Sequence, residues 1–409
     1  MTQARGALSH LKVLDLSRVM AGPWAGQILA DMGAEVIKVE RPGVGDDTRG
    51  WGPPFLKRAD GNETRESGYY LATNRGKKSI TVDLGSAEGQ EIIRKLASQS
   101  DIVLENFKVG TLARFGLDQE SLRKLNPRLV YCSITGFGQS GPRARQVAYD
   151  FLIQAMGGLM SITGEEDGKP GGGPQKIGVP MVDLSTGLYA VIGILGAIAR
   201  REVTGQGDFV DIGMLDVQTS LLANQAMNHL LTGQTPRRYG NGHPNIMPQQ
   251  VFKCLDGYIV LAVGNDGQFA RLCKALGDTE MAEDAELASN RGRVARRDWL
   301  HARLANHFAG YNRADLLAKL DASDVPAGPI NTIPEVFAEE QVKARGMVGT
   351  LPHPEAGTVP QVFSPIKFEA SEFRTETAPP LLGADTDGIL KSLGLSEERT
   401  LELRRKGVV

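Results

Sequence analysis

The chain has 409 residues, of which 41% are hydrophobic and 23% charged, and its formal net charge is −2. This length favours two domains, and the balanced charge without a long run of Lys and Arg argues against nucleic acid as a partner. Three widely spaced cysteines, a polar start and a longest apolar run (188–199) too short to cross a bilayer predict a cytoplasmic protein without a membrane partner.

The first predicted elements alternate between strand and helix. A strand at 11–16 leads into a helix at 24–32, and a second strand at 34–40 follows directly. Further strands are predicted at 79–83, 102–105 and 129–134. The pattern is Rossmann-like but lacks the GxGxxG fingerprint, so it predicts a parallel α/β sheet without a classical dinucleotide site.

The middle of the chain changes in character. Helices are predicted at 150–163 and 184–201, and a hairpin around Asp256 and Gly257 opens a smaller α+β domain. The predicted division is a large domain of residues 1–203 and 323–409, a linker helix at 204–228 and a small domain at 229–322.

Asp183 is the candidate reactive group, since it stands directly before the apolar stretch that starts at Leu188. A carboxylate at the mouth of a buried helix is either costly or useful, because burial turns a resting anion into a nucleophile or base. The alternative is a helix N-cap, which the residues alone favour.

A series of segments along nearly the whole chain, from about 8 to 407, resembles the family III CoA-transferases in sequence and in the order in which the segments occur. Examples are DMGAEVIKVERP at 31–42 and ITGFG at 134–138. The other matching segments are 13–23, 45–49, 74–80, 105–107, 125–127 and the one around Asp183. Each segment is weak alone, but their number and order make the resemblance specific.

The resemblance implies an open Rossmann-like domain formed by both chain ends, a smaller α+β domain between them, and two subunits interlocked like rings. It gives Asp183 the role of a nucleophile that forms a mixed anhydride and an aspartyl-CoA thioester. The substrates are then a CoA thioester and a carboxylic acid, and neither a tightly bound cofactor nor a metal is expected. Water must be kept from the anhydride, which favours a closing loop.

The resemblance also implies a set of CoA-binding residues. Its basic members suit phosphates and its apolar members suit adenine and pantetheine, although each basic residue alone is equally well explained as a solvated surface charge. The set is Arg18, Val19, Met20, Ala21, Arg41, Leu71, Asn74, Arg75, Lys77, Asn106, Phe107, Arg114 and Phe115.

A second candidate site is the loop with Gly240, Gly242, His243 and Asn245. Its glycines suit lid motion, and its polar side chains suit a substrate carboxylate. Relatives with a similar His-Pro segment here include transferases for short dicarboxylates, which favours succinyl-CoA as donor and a dicarboxylate as acceptor. The loop lacks four consecutive glycines, so an ordinary connecting loop remains an alternative.

Tyr149 and Asp150 separate two activities. The family's α-methylacyl-CoA racemases carry a His-Asp pair here, so Tyr149 removes a base that racemisation requires and makes a racemase or epimerase the alternative. Tyr149 is either a substrate contact or a packing residue, and Asp150 fits an N-cap for the following helix. A nucleotide-binding or interaction protein on the same scaffold is a third reading, which Asp183 disfavours.

Overall fold

A computed structural model describes residues 6–371 and 375–409. The chain divides into two compact units. The first comprises the residues up to 159, 177–226 and 341–409, and the second comprises 160–176 and 227–340. The predicted division instead gave 160–176 to the large domain and ended the small domain at 322. Each unit consists of segments that are separated along the chain, and a search for boundaries along the sequence does not show which segments pack together.

The strands, in chain order, are β1 (Lys12–Asp15), β2 (Glu35–Glu40), β3 (Phe55–Lys57), β4 (Glu63–Ser67), β5 (Lys77–Thr81), β6 (Ile102–Glu105), β7 (Val130–Thr135), β8 (Phe209–Gly213), β9 (Gln249–Cys254), β10 (Gly257–Ala262), β11 (Ala327–Pro329), β12 (Val348–His353) and β13 (Gly357–Val362).

The helices are α1 (Ala21–Asp31), α2 (Gly68–Leu71), α3 (Ala87–Ser98), α4 (Gln119–Leu125), α5 (Asp150–Met156), α6 (Leu159–Ile162), α7 (Met181–Thr204), α8 (Met214–Ser220), α9 (Ala223–Thr232), α10 (Asp266–Leu276), α11 (Thr279–Glu283), α12 (Asn290–Ala295), α13 (Arg297–Phe308), α14 (Arg313–Asp321), α15 (Ile333–Ala338), α16 (Glu340–Ala344), α17 (Thr386–Ser392) and α18 (Glu397–Arg405). Two 3₁₀ turns lie at Asp47–Gly50 and Leu112–Phe115.

The first unit is built on a six-stranded sheet in the order β5-β2-β1-β6-β7-β8, and every neighbouring pair is parallel. This confirms the predicted parallel α/β sheet. Alternate side chains point to opposite faces of a strand. Val13 therefore packs with α1 and α7, while the next residue, Leu14, packs with α3 and the C-terminal helices α17 and α18. Helices thus cover both faces.

Strand β8 is the main departure from the predicted elements. Residues 204–228 were expected to form a linker helix, but 209–213 pair with β7 as the edge strand of the sheet, and the helices begin only after them. Gly205 has a φ of 72° and ends α7 in a left-handed turn, which redirects the chain onto the sheet. The short apolar segment that follows then finds backbone partners at the open edge.

Helix α7 has 24 residues, from Met181 to Thr204, rather than the predicted 184–201. By length and composition it could cross a membrane, so the prediction that the apolar segment is too short to do so is wrong. Its inner face is buried against α1 and the sheet, with Val182, Ala190 and Ile194 in the core. A core helix meets the same criteria.

The second unit has its own core. Strands β9, β10 and β11 form an antiparallel sheet, and the β9–β10 hairpin matches the predicted one. Phe252, Ile259 and Leu261 from the sheet pack with residues of the helices of this unit, among them Leu304 and Phe308. This small α+β core carries the loop that follows Gly240.

Candidate active site

The start of α7 sets the position of Asp183. Pro180 occupies the cap position and provides no side-chain hydrogen bond, and Asp183 is the third residue of the helix. The alternative interpretation of Asp183 as the N-cap of this helix is therefore wrong. The backbone N–H groups of the first turn instead find an acceptor outside the helix. Asp150 Oδ2 accepts hydrogen bonds from the backbone N–H of Val182 at 2.8 Å and of Asp183 at 3.3 Å.

Asp150 thus caps a different helix from the one predicted. Tyr149 occupies the cap position of α5 without a side-chain cap bond, and Asp150 is the first residue of that helix. Its other oxygen accepts a hydrogen bond from Gln154 Nε2 at 2.6 Å. Sequence spacing reveals only caps within one segment, whereas this cap joins residues more than thirty positions apart.

Asp183 opens onto a cavity of about 200 Å³ in the first unit. Seven of the predicted CoA or substrate contacts line this cavity beside it. They are Arg18, Val19, Met20, Ala21, Asn106, Phe107 and Tyr149. The turn after β1, the turn after β6 and the segment before α5 bring these residues together. The carboxyl ends of parallel strands meet at one edge of a sheet, which is where ligands of open α/β folds bind.

The environment of Asp183 disfavours its charge. Burial and, to a lesser degree, the nearby carboxylate of Asp150 raise its pKa to about 7. Among the residues that the structure describes, none donates a hydrogen bond to its carboxylate or pairs with it as a cation. A carboxylate that is poorly stabilised but still ionised near neutral pH is suited to attack an electrophilic carbonyl carbon.

The remaining predicted CoA contacts fall into two groups. Arg41 is exposed and lines a neighbouring cavity of about 160 Å³ together with Arg18 and Phe107. Arg114 is also exposed, with its guanidinium carbon 5.8 Å from the centre of the Phe115 ring. Both arginines are therefore accessible to a phosphate, and their predicted role stays a prediction.

The other group, Leu71, Asn74, Arg75 and Lys77, is buried. Lys77 Nζ donates to Asp15 Oδ2 at 2.9 Å and to Asn74 Oδ1 at 3.0 Å, and Arg75 pairs with Asp31. The hydrogen-bond and ion-pair partners of these polar side chains therefore lie inside the unit. Their internal contacts support a structural role, because a buried charge needs an internal partner, and their predicted contact with CoA stays a prediction.

The loop from Gly240 to Asn245 lies in the second unit. Gly240 has a φ of 55°, which favours glycine, and the backbone N–H of Asn245 donates to His243 Nδ1 at 3.1 Å. Burial and the positive charge of Arg297 lower the pKa of His243. Gly242 and Arg297 line a cavity of about 400 Å³ in this unit. The lid and substrate roles of the loop stay predictions.

Asp46 supports the site but was not among the predicted site residues. Residues 45–49 were noted only as a matching segment, but Asp46 accepts hydrogen bonds from the backbone N–H of Val19, which lines the cavity. A carboxylate next to a predicted ligand turn could have been singled out. In residues 6–371 and 375–409, no group of three or more His, Cys, Asp or Glu side chains is placed to hold a metal.

Comparisons with known proteins agree with this geometry. The model of CoA-transferase family III matches residues 8–386. The chain is 49% identical to the succinate–glutarate CoA-transferase of Agrobacterium fabrum over 96% of this chain and 97% of that one. It is 41% identical to the succinyl-CoA:glutarate CoA-transferase of Mus musculus over 97% and 88%. A crystal structure of a CAIB/BAIF family protein from Brucella suis has a TM-score of 0.83 at 48% identity, over 96% and 100%.

Proposed function

Since the chain belongs to the family III CoA-transferases, we propose that it moves CoA from succinyl-CoA to a short dicarboxylic acid, with Asp183 as the covalent nucleophile. The observation that carries the proposal is the placement of Asp183 at the cavity, with a raised pKa and without a cationic partner among the described residues. The fold alone would not choose a reaction.

The first half of the reaction loads CoA onto the enzyme. An oxygen of Asp183 attacks the thioester carbonyl carbon of the donor, the carbon–sulfur bond breaks, and CoA leaves as a thiolate. The product is a mixed anhydride between Asp183 and the donor acid. The thiolate then attacks the Asp183 carbonyl carbon, which releases the donor as a carboxylate and leaves an aspartyl-CoA thioester.

The second half repeats these exchanges with the acceptor. A carboxylate oxygen of the acceptor attacks the aspartyl thioester, expels the thiolate again and forms a second mixed anhydride. The thiolate attacks the acceptor's acyl carbon, so that the acceptor leaves as its CoA thioester and Asp183 returns as a carboxylate. Every step exchanges one activated acyl bond for another, so the cycle needs neither ATP nor a bound cofactor.

The surroundings of Asp183 suit this sequence. Partial burial limits its hydration, which keeps the carboxylate nucleophilic and limits access of water to the anhydride. Asp150 holds the first turn of α7 and thereby fixes the backbone that carries Asp183.

A short dicarboxylate is the acceptor that the relatives support best. The names of the two relatives include glutarate, and one includes succinyl-CoA. The loop around His243 provides polar groups that suit a second carboxylate. The proposal therefore takes succinate and glutarate, rather than monocarboxylic acids, as the exchanged acids.

An interlocked homodimer belongs to the same proposal. Large apolar side chains of α5 and α7 are exposed in the single chain, with Phe151 58% and Ile192 64% accessible. Exposed apolar surface of this kind is typical of a protein interface. Size-exclusion chromatography with light scattering should give twice the chain mass; a monomer at micromolar concentration would contradict this part. The free, buried cysteines are consistent with the cytoplasmic location that we propose.

An exchange assay tests the reaction. Succinyl-CoA is incubated with glutarate, or with valerate as a matched acid that lacks the second carboxylate, and the CoA esters are separated chromatographically. We expect glutaryl-CoA to form and valeryl-CoA to form far more slowly. Failure with every acid, combined with α-proton exchange of an acyl-CoA in deuterated water without an acceptor, would instead support a racemase.

A further inference from the structure

Val19 has an unusual backbone conformation at the wall of the cavity. Its φ is 70°, and the only other non-glycine residues with a positive φ among residues 6–371 and 375–409 are Ala223 and Asp324. Val19 is the β-branched member of the three, and branched side chains are the least suited to the left-handed region. Such a conformation persists only where the surroundings enforce it.

Asp46 makes the contacts that oppose relaxation of Val19. Its two carboxylate oxygens lie 3.2 and 3.3 Å from the backbone nitrogen of Val19, which donates to them. Asp46 also accepts from the Thr48 N–H at 2.9 Å and the Thr48 hydroxyl at 2.7 Å, so its own orientation is fixed. The carboxylate is buried, as is Lys38, whose Nζ lies 2.8 Å away.

Lys38 and Asn106 hold the two peptides that precede Val19 in the same turn. Lys38 Nζ donates to the carbonyl oxygen of Ser17 at 3.0 Å as well as to Asp46. Asn106 Oδ1 accepts from the Arg18 N–H at 2.9 Å, and its Nδ2 donates to the Arg18 carbonyl at 2.7 Å. The two peptides that precede Val19 in the turn from β1 to α1 are therefore both held by hydrogen bonds.

The charged state of Asp46 is secure at neutral pH. Burial alone would raise its pKa, but Lys38 and the hydrogen bonds from Thr48 lower the pKa to about 2. A carboxylate at position 46 accepts several hydrogen bonds at once and attracts Lys38. An asparagine in its place would lack the negative charge and would leave the buried Lys38 without its ion-pair partner.

The turn that these groups hold is a wall of the cavity that contains Asp183. Arg18, Val19 and Met20 all line it. Small displacements of groups that position a substrate lower reaction rates and affinity strongly, because the reacting atoms must be held in a narrow range of geometries. A strained wall residue with a dedicated buried acceptor is thus better explained by ligand positioning than by stability.

We propose that Asp46 is a positioning residue that holds Val19 in its left-handed conformation, so that the turn from β1 to α1 is shaped to bind the CoA thioester. This inference rests on the proposed function, since the ligand of the cavity is taken to be CoA. Asp46 itself does not line the cavity with Asp183, so its effect passes through the Val19 backbone.

A double-mutant cycle between positions 46 and 19 tests the proposal. Asp46→Asn removes the negative charge of the side chain. Val19→Gly removes the backbone strain at position 19, because glycine adopts a positive φ without strain and so does not need Asp46 to hold it there. The two single variants, the double variant and the wild type are compared by the dissociation constant for CoA in calorimetry, and by KM for succinyl-CoA and kcat in the exchange assay. Asp324→Gly, which relieves a positive φ outside the cavity, is the matched control.

Asp46→Asn should weaken CoA binding and raise KM about tenfold or more, with a much smaller change in kcat. In the Val19→Gly background the same substitution should weaken binding less than about threefold, so that glycine rescues the loss. Asp324→Gly should leave CoA affinity unchanged. A general effect on folding would not be rescued by a change at position 19.

Equal losses from Asp46→Asn in the wild-type and Val19→Gly backgrounds, or unchanged CoA affinity in Asp46→Asn, would overturn the proposal. If Asp46→Asn does not fold, Lys38→Met combined with Asp46→Asn removes the buried pair together and enters the same cycle with Val19→Gly. A wild type that binds CoA but transfers it to no acid would contradict the proposed function alone, because the binding cycle does not require turnover. A wild type that binds no CoA would overturn both.

Discussion

Two sets of carboxylates in the first unit differ in what faces them. Asp15 and Asp46 lie beneath the turn after β1, each within 3 Å of a buried lysine: Lys77 at 2.9 Å and Lys38 at 2.8 Å. Asp183 lies at the cavity wall and is faced by another carboxylate, that of Asp150.

Burial acts in the same direction on all of these groups, since it raises the pKa of a carboxyl. In Asp15 the charges of Lys77 and Lys38 overcome burial and lower the pKa. In Asp183 no cation offsets burial, and the charge of Asp150 adds to it, so the pKa rises to about 7. Pairing with a cation therefore separates the two roles: the paired carboxylates shape the turn, and the unpaired one is available for chemistry.

The largest predicted effect is the loss of CoA transfer when the unpaired carboxylate is removed. Asp183→Asn keeps the size of the side chain but removes the nucleophile, so transfer should fall at least about 10³-fold. CoA affinity should change little, because the cavity remains. The control is Asp208→Asn, a carboxylate outside the cavity that pairs with Arg200. Near-normal transfer by Asp183→Asn would refute the assigned nucleophile.

The paired region should respond through stability. Lys77→Met leaves Asp15 as a buried charge without its nearest cation, and breaking such a pair costs about 3–5 kcal/mol of unfolding free energy. Lys78→Met is the matched control, since its pair with Glu35 is exposed and contributes at most about 1 kcal/mol. Guanidinium unfolding measures both.

This measurement also separates the two interpretations of Lys77. A variant that keeps its stability but binds CoA poorly would favour the ligand role inferred from the family resemblance. Loss of stability confined to Lys77→Met would favour the structural role that its buried contacts indicate.

A third prediction concerns stability against pH. Because the folded pKa of Asp183 is raised to about 7, its stabilising contribution is fully present below the unfolded value and is lost as pH rises through 7. Asp183→Asn should therefore gain stability over wild type on going from pH 5 to pH 8, by about 1–2 kcal/mol after allowance for solvent screening. A constant difference between the two proteins across this range would contradict the raised pKa.

A smaller effect is expected at Asp150. Its negative charge contributes to the raised pKa of Asp183, so Asp150→Asn should move the rising limb of the profile of kcat/KM against pH to lower pH. The wild type should gain activity as pH rises through about 7, because the nucleophile must be ionised. A rising limb that moves to higher pH in Asp150→Asn, or that stays in place while activity is retained, would show that the charge of Asp150 does not raise the pKa of Asp183.

The smallest effect is expected in the second unit. His243→Ala should raise KM for the acceptor acid about three- to tenfold, as expected for the loss of one hydrogen bond, and should leave KM for the donor thioester nearly unchanged. Asn241→Ala in the same loop is the control. Equal acceptor dependence in both variants would count against the substrate role of His243.

The sequence predicted the parallel sheet, because strand periodicity is local. It also singled out Asp183, which lies at the cavity, because its segment matches a family pattern; the nucleophilic role of Asp183 stays a prediction. It did not predict that Asp150 caps α7, since the cap joins residues distant along the chain. It did not predict that Lys77 contacts Asp15, because a basic residue at the start of a strand looks the same in the sequence whether it faces solvent or a buried carboxylate. Strand β8 was missed for a related reason: its partner, β7, lies far earlier in the chain.

Trapping of the covalent intermediate tests the central claim most directly. Hydroxylamine is added during turnover with succinyl-CoA, and the digested protein is examined by mass spectrometry for a hydroxamate on a carboxyl side chain. We predict modification of Asp183 that requires the thioester and is absent with free CoA. Vigorous transfer with Asp183 unmodified, or with a different carboxylate modified, would contradict the account.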